Sequence, residues 1–159
     1  SMADYIELGT SEIVASSGNK IIKTCGIGSC VVITMYDELN KIGGMSHSML
    51  PTAPNKNAGL SNHINKDPRY VDDAIMLLLE SLTKLGSKEE YLIAKLIGGE
   101  KMFTILNSTN CIGDQNIKIA KAVLNQLNIP IVSQDVGGSV GRTAEFNLNN
   151  GLVSIKTKA

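Results

Sequence analysis

Residues 21–36 read IIKTCGIGSCVVITMY. Apolar and β-branched residues dominate both halves of this stretch, Ile21 to Cys25 and Cys30 to Tyr36, a composition typical of β-strands. Gly26 and Gly28 lie between the halves and allow a sharp change of chain direction. We therefore expect two strands joined by a tight turn, with a cysteine at the start of the second strand.

Further strands are indicated on the C-terminal side of this stretch. The same composition marks the segments Lys41 to Leu50, Tyr91 to Ile97 and Ile131 to Gln134. Near the end, Thr143 to Leu148 and Leu152 to Thr157 flank the sequence Asn-Asn-Gly. This pattern predicts a β-hairpin with Asn or Gly at positive φ in the turn.

Two helices are predicted. In the first, Asp67 is an N-cap candidate before Pro68, apolar residues follow at helical spacing, and Gly86 ends the pattern. The second runs from about Asp114 to Leu127. Many strands with only two long helices favour an α+β fold over a regular βαβ repeat.

The chain length and charge limit the class of protein. With 159 residues it has the size of one domain, which we expect to span residues 3–159, and Ser1-Met2 has the form of a tag remnant. The formal net charge is zero and aromatic residues make up only 4%, which argues against a nucleic-acid partner. The longest apolar runs, such as the one that contains Ile75 to Leu79, are too short to span a membrane, and we expect no direct membrane insertion.

The cysteines and histidines are few. Three cysteines form an odd number, too few for a disulfide scaffold, so we expect free thiols and a cytoplasmic location. Cys30, after two glycines and before an apolar strand, is the candidate nucleophile, and His47 is the candidate base. The residues alone also allow a small buried cysteine and a core histidine that hydrogen-bonds inside the fold.

The other thiols and the second histidine have weaker signals. Cys25 and Cys111 are expected to be packing residues, and His63 lies in a polar loop, residues 51–67, that is expected to be solvated and functional. No cysteine or histidine pair has the usual spacing of a zinc site, so we expect no metal. No other cofactor is predicted.

Paired glycines and one phenylalanine complete the candidates. Gly98-Gly99 and Gly137-Gly138 each follow a strand-like segment, where glycine permits a sharp turn or a close approach of the backbone. Phe103 is either a core residue or an exposed contact for a partner.

Taken together, these pieces resemble the CheD chemoreceptor glutamine deamidases of bacterial chemotaxis. The matching pieces are Thr24-Cys-Gly-Ile-Gly-Ser-Cys30, Gly43-Gly-Met-Ser-His47, Tyr70-x-Asp72, Ala94-Lys-x-x-Gly-Gly99 with Met102-Phe103, Ile112-Gly-x-x-Asn116, and Asp135-Val-Gly-Gly138 with Gly141-Arg142. They run nearly from end to end in the family's order, so the combination is specific although each piece alone is weak.

The resemblance implies a catalytic triad and a fold. Cys30, His47 and Thr24 match the family's nucleophile, base and orienting hydroxyl, and backbone N–H groups around Gly28 and Ser29 would hold the oxyanion. A Cys–His pair of this kind is expected to make Cys30 the most reactive thiol, even at mildly acidic pH. The family's fold is a mixed β-sandwich with helices packed outside.

The resemblance also implies partners. Members of the family hydrolyse glutamine side chains on the cytoplasmic helices of chemoreceptors, and many bind a CheC-type phosphatase. Phe103 is the candidate contact for such a partner. The alternatives are a binding module without catalysis on the same fold, and another cysteine hydrolase, such as a thioesterase or peptidase, that uses the same residues.

Overall fold

The computed structural model describes residues 2–54, 65–101, 111–138 and 141–157. These residues form nine strands and two α-helices. The strands are β1 (Asp4–Glu7), β2 (Glu12–Ser17), β3 (Lys20–Ile27), β4 (Val31–Asp37), β5 (Ile42–Ser48), β6 (Leu92–Gly98), β7 (Ile131–Val136), β8 (Arg142–Asn147) and β9 (Val153–Thr157). The helices are α1 (Val71–Lys84) and α2 (Ile112–Gln126), with one 3₁₀ turn at Glu89–Tyr91.

The strands form two sheets. Sheet I has the order β1-β3-β8-β9, and sheet II has the order β2-β5-β4-β6-β7. Both sheets are mixed, because β1 pairs with β3 and β6 with β7 in parallel while the remaining pairs are antiparallel. The predicted α+β class is confirmed.

Two apolar layers lie on the two faces of sheet II. Val32 and Met45 of sheet II pack with Ile22 and Phe146 of sheet I in the interior of a sandwich. On the opposite face, Ile33 and its neighbours pack with residues of both helices. Consecutive residues of a strand face opposite sides, so a strand covered on both sides is apolar throughout, and every residue of β4 is buried. The expected sandwich with outer helices is confirmed.

The chain passes from one sheet to the other through residues 28–30. β3 belongs to sheet I and β4 to sheet II, so this short segment lies at the end of the sandwich where the sheets meet. The pairing of β3 with β8 shifts register between Thr24 and Ile27, and Gly26 lies within the shift at φ +67°. Such a bulge bends its strand, here directly before the chain leaves sheet I.

Helix α1 begins later than the sequence predicts. Its N-cap is Tyr70, without a side-chain cap, and Val71 is its first residue. Tyr70 forms a β-bridge with Leu50, which keeps it extended, and Asp67 accepts a hydrogen bond from the N–H of Arg69 in a preceding turn. The proposed cap at Asp67 is therefore wrong, because that residue closes its own turn.

Most other predicted elements are confirmed. Helix α2 starts two residues earlier than predicted, and the β8–β9 hairpin turns through Gly151 at φ +76°. Strands β1 and β2 were not predicted; they are short and largely exposed or half-buried, so they lack a strong apolar pattern. Neither described helix is long and apolar enough to cross a membrane.

Candidate active site

A hydrogen bond joins Thr24 and His47 across the sandwich. Thr24 lies on β3 of sheet I and His47 on β5 of sheet II, and 2.7 Å separates Thr24 Oγ1 from His47 Nδ1. Both residues are buried, and the His47 side chain has no exposed surface. The alternation along β5 puts Met45 and His47 on the same face, toward the interior of the sandwich.

The contacts of Thr24 determine which nitrogen of His47 carries the proton. The Thr24 hydroxyl donates its hydrogen to the Leu8 carbonyl oxygen at 2.8 Å. Its oxygen can then only accept from His47, so the proton of the neutral ring is on Nδ1. His47 Nε2 is left with its lone pair, and within the described residues it has no hydrogen-bond partner.

The strand register places the start of β4, which directly follows Cys30, near His47. Val32 on β4 lies directly opposite His47 on β5. Cys30 lies two residues before Val32 and one residue before the start of β4, so a continuation of the strand pattern would put it diagonal to His47. Such diagonal positions are roughly 7–8 Å apart, within reach of longer side chains. The structure thus brings Thr24 and His47 into contact, and Cys30 directly precedes the residues of β4 that pair with the same end of β5.

Three consecutive carbonyl groups around Cys30 are held by hydrogen bonds. The Gly28 oxygen accepts from the backbone N–H of Glu100 at 2.9 Å, and the Cys30 oxygen accepts from that of Gly99 at 2.8 Å. Between them, the Ser29 oxygen accepts from Asn116 Nδ2 at 2.9 Å. Each peptide is planar, so the N–H groups of the same peptides have fixed directions. Gly28 and Ser29, the candidate oxyanion residues, thus lie in a rigid loop.

The close approach of the loop after β6 requires glycine. Gly98 has φ +107°, and a Cβ atom there would overlap the carbonyl oxygen of Cys30. Gly99 has φ +62°, and a Cβ there would overlap the side chain of Ile117 on α2. Both proposed roles of this pair, the sharp turn and the close backbone approach, are therefore present.

Burial favours the neutral forms of His47 and Cys30. Burial lowers the pKa of His47 to about 4. It also raises the pKa of the Cys30 thiol, an effect that the backbone N–H of Cys30 itself partly offsets. These directions favour a thiol beside a neutral imidazole, so the expected reactivity of Cys30 at mildly acidic pH is not supported. The cause is desolvation, which penalises both charged forms.

Of the other two cysteines, Cys25 is not the packing residue that the sequence predicts. All three cysteines are free. Cys25 is exposed and not packed, because the alternation along β3 buries Thr24 and turns Cys25 outward. It lines a cavity of about 560 Å³ beside residues 28–30, the loop that carries the candidate nucleophile and is called the nucleophile loop below. The cationic residues Arg142 and Lys156 line the same cavity. Cys111 is half-buried at the N-cap of α2.

Some sequence-based candidates lie outside the described residues. Phe103 and His63 are among them, as are residues 55–64 of the polar loop. In the described ranges, no group of three or more His, Cys, Asp or Glu side chains is arranged to hold a metal ion.

Asn116 contacts the segment before Cys30, although the sequence indicates it only as part of a motif. It is fully buried on the face of α2 that also buries Ala120 and Val123. A polar amide in an apolar helical stripe indicates a specific contact, since a buried polar group needs a hydrogen-bond partner. Its partners could not be predicted, because they belong to distant segments.

Comparison with known proteins identifies the family. The family model described as CheD chemotactic sensory transduction matches residues 49–157. This match begins after Thr24, Cys30 and His47. Similarity to individual relatives extends over nearly the whole chain and includes that part.

Three relatives illustrate the similarity. The probable chemoreceptor glutamine deamidase CheD of Pyrococcus horikoshii is 39% identical over 95% of this chain and 91% of its own length. The chemoreceptor glutamine deamidase CheD of Halalkalibacterium halodurans is 38% identical over 98% and 95%, respectively. The relative from Clostridium novyi is 36% identical over 97% of this chain and 93% of its own length. On this similarity, and on the family-model match, the chain belongs to the CheD family.

Proposed function

We propose that this protein is a glutamine deamidase. In this proposal, it hydrolyses side-chain amides of specific glutamines on the cytoplasmic helices of chemoreceptors, giving glutamate and ammonia, and it acts in the cytoplasm. The relatives named above carry the name of this activity. The structural observation that carries the proposal is the Thr24–His47 hydrogen bond, which leaves Nε2 of the ring without a hydrogen-bond partner among the described residues.

The first half of the reaction would form a thioester. Cys30 Sγ attacks the amide carbon of the glutamine while its proton passes to His47 Nε2. The resulting oxyanion accepts hydrogen bonds from backbone N–H groups of the loop at residues 28–30. His47 then gives the proton to the nitrogen, the C–N bond breaks, and ammonia leaves.

The second half would release glutamate. A water molecule attacks the thioester carbon, and His47 Nε2 takes one of its protons. The C–S bond breaks, the sulfur recovers the proton, and a carboxyl group remains on the receptor side chain. His47 has a suitable form for both steps, since burial lowers its pKa to about 4 and keeps it unprotonated at neutral pH.

Thr24 would orient the ring without a charge. A carboxylate in this position stabilises the imidazolium that forms during the reaction, whereas a hydroxyl only fixes the tautomer and the ring plane. The Thr24 hydroxyl is itself fixed by its bond to Leu8 O. The bond to Thr24 therefore holds the ring in one orientation and leaves the lone pair of Nε2 available.

The decisive experiment compares two cysteine variants on the same substrate. Purified protein is incubated with receptor cytoplasmic fragments, and ammonia release and peptide masses are measured. Replacement of NH₂ by OH adds about one dalton to each modified glutamine, as follows from the hydrolysis. We expect Cys30→Ala to abolish both signals. The matched control Cys25→Ala removes an exposed thiol from the neighbouring strand and is expected to retain them.

Other results would change the assignment. Full ammonia release by Cys30→Ala would exclude this residue as the nucleophile. A wild-type protein that binds the fragments without modifying them would be the binding module. Cleavage of a peptide or thioester in place of amide hydrolysis would indicate another cysteine hydrolase with the same residues.

A CheC-type phosphatase is the second proposed partner, on the basis of family membership. We expect it to bind near the candidate active site and to compete with receptor fragments. Calorimetric titration with a CheC-type phosphatase, followed by the deamidation assay at saturating phosphatase, tests this. Binding without any loss of deamidation would contradict the shared site.

A further inference from the structure

Asn116 holds the peptide that precedes the proposed nucleophile. Its Nδ2 donates one hydrogen to Ser29 O at 2.9 Å and the other to Met49 O at 3.0 Å. Ser29 O belongs to the Ser29–Cys30 peptide, and Met49 is two residues after His47. One side chain therefore connects the nucleophile loop to the end of the strand that carries the base.

The Ser29–Cys30 peptide also contains the N–H of Cys30. In a planar trans peptide the C=O and N–H bonds point in opposite directions. Fixing the Ser29 oxygen on α2 therefore fixes the Cys30 N–H on the other side. That N–H lies beside the Cys30 sulfur, close enough to favour its thiolate. An N–H in this position is near the place where an oxyanion forms after attack by the sulfur.

The neighbouring peptides are held in a different way. Gly28 O and Cys30 O accept from the main-chain N–H groups of Glu100 and Gly99. Of these three peptides, only the central one depends on a side chain. A substitution at Asn116 can therefore release this peptide while the main-chain bonds on both sides remain.

The position of α2 is fixed independently of Asn116. A Cβ atom at Gly113 would overlap the carbonyl oxygen of Glu100, so the first turn of α2 packs directly on the loop after β6. Ala120, Val123 and Leu124 bury the rest of that helix face in the apolar layer. The backbone of residue 116 is thus held by packing, and its amide reaches the loop from a rigid base.

We propose that Asn116 is a positioning residue that holds the Ser29–Cys30 peptide so that the Cys30 N–H faces the developing oxyanion. This inference rests on the proposed function, because it assigns the N–H a role in that reaction. Asn116 itself would touch neither the substrate nor the sulfur. Its contribution should appear in reactions that form an oxyanion and be absent from those that do not.

Two reactions of the same thiol separate this role from a merely structural one. Acylation of Cys30 by p-nitrophenyl acetate forms a thioester through an oxyanion and releases p-nitrophenolate. Alkylation by iodoacetamide displaces iodide from carbon and forms no oxyanion. Both are measured on full-length protein with Cys25→Ser and Cys111→Ser, so that only Cys30 reacts, and at a pH where each rate has reached its limit.

The variants are Asn116→Leu and Asn116→Ala, with Asn125→Leu as the control. Leucine keeps the branched skeleton of asparagine but has no donor, and alanine cannot overpack the site. Asn125 is exposed on the same helix. Circular dichroism confirms that each variant is folded at the assay temperature.

We expect both Asn116 variants to lose roughly 100-fold in acylation rate, the scale of one lost oxyanion donor. Their limiting alkylation rate should remain within about threefold of the parent, because the sulfur itself is unchanged. The Asn125 variant should match the parent in both reactions. Equal losses in both reactions, or no loss in acylation, would overturn the inference.

Failure of the Asn116 inference can be distinguished from failure of the proposed deamidase function. If the parent protein releases no ammonia from receptor fragments, the deamidase assignment fails. The ratio of acylation to alkylation is still measurable then, and it still decides whether Asn116 places the N–H of Cys30. If deamidation is present, its kcat should fall with the acylation rate while KM changes little.

Discussion

Thr24 and His47 lie on different sheets, and the 2.7 Å bond between their Oγ1 and Nδ1 atoms spans the interior of the sandwich. The bond selects the tautomer of the ring, because the Thr24 hydroxyl hydrogen is already donated to Leu8 O. Through this bond the packing of the two sheets sets the state of the proposed base. A change that separates the sheets at this end would therefore break the contact that sets the tautomer.

Replacing Thr24 by valine tests the orienting bond. Valine has the same shape but offers no acceptor to Nδ1 and no donor to Leu8 O. We expect kcat for ammonia release to fall roughly 10- to 100-fold, at the low end of the range for acid–base catalysis because the orienter is uncharged. Thr24→Ser should recover most of the rate, since it restores the hydroxyl. An unchanged kcat in the valine variant would show that the ring needs no orienting bond.

The buried ring predicts a loss of stability in mild acid. Burial lowers the pKa of His47 to about 4 from its ordinary value near 6.5. Between these values the unfolded chain binds a proton that the folded protein excludes, so stability is present at neutral pH and falls as the pH falls. At pH 4.5 the loss should reach about 2–3 kcal/mol at 1.36 kcal/mol per pKa unit.

Urea unfolding at several pH values measures this effect. The difference in unfolding free energy between pH 7 and pH 4.5 should be larger for the wild type than for His47→Gln, whose side chain does not titrate. Groups elsewhere in the chain titrate in both proteins and cancel in the comparison. Equal pH dependence in both proteins would mean that His47 is charged, or exposed, in the folded state.

The reactivity of Cys30 should rise toward alkaline pH. Burial raises the pKa of its thiol, so half-maximal alkylation should occur above the pH found for N-acetylcysteine. The measurement uses the protein with Cys25→Ser and Cys111→Ser. Its rate of alkylation by iodoacetamide is followed in samples quenched at successive times. A rate that is already at its plateau below pH 7 would instead indicate a thiolate–imidazolium pair.

Gly98 can be tested against a glycine of the same backbone conformation. Gly98 and Gly86 have φ +107° and +104°, but only at Gly98 would a Cβ atom meet other atoms, the nearest being Cys30 O. Both alanine variants bear a left-handed penalty of about 1–2 kcal/mol. We expect Gly98→Ala to lose about 2 kcal/mol more in thermal or urea unfolding, the usual scale of overpacking, and to lose activity.

Equal stability of the two variants would contradict the close approach at Gly98. Gly86 follows the end of α1, away from the nucleophile loop, so its variant should keep the wild-type rate of ammonia release. The pair thus separates backbone strain from displacement of the Cys30 carbonyl.

Much of the fold could be predicted from local patterns. β4 and β5 are fully buried, and the apolar composition of β4 marks it as a strand without further information. The α2 stripe and the glycine at the β8–β9 turn have similarly direct signals. The sequence does not predict β1 and β2, because their residues are only partly buried and lack a strong apolar pattern. Pairing with β3 and β5 stabilises them as strands. The prediction of a helix cap at Asp67 is wrong because its side chain accepts a hydrogen bond within a local turn instead.

The sequence by itself determined the family resemblance, the fold class and the identity of the candidate residues Thr24, Cys30 and His47. The tertiary structure alone decided their relation: the contact of Thr24 with the ring, the tautomer and the buried neutral state of His47. The tertiary structure also determined the hydrogen bond from Asn116 to the nucleophile loop. The physical reason is that residue types and spacings report local preferences, whereas proton placement and pKa depend on burial and on contacts between segments that only the packed sandwich brings together.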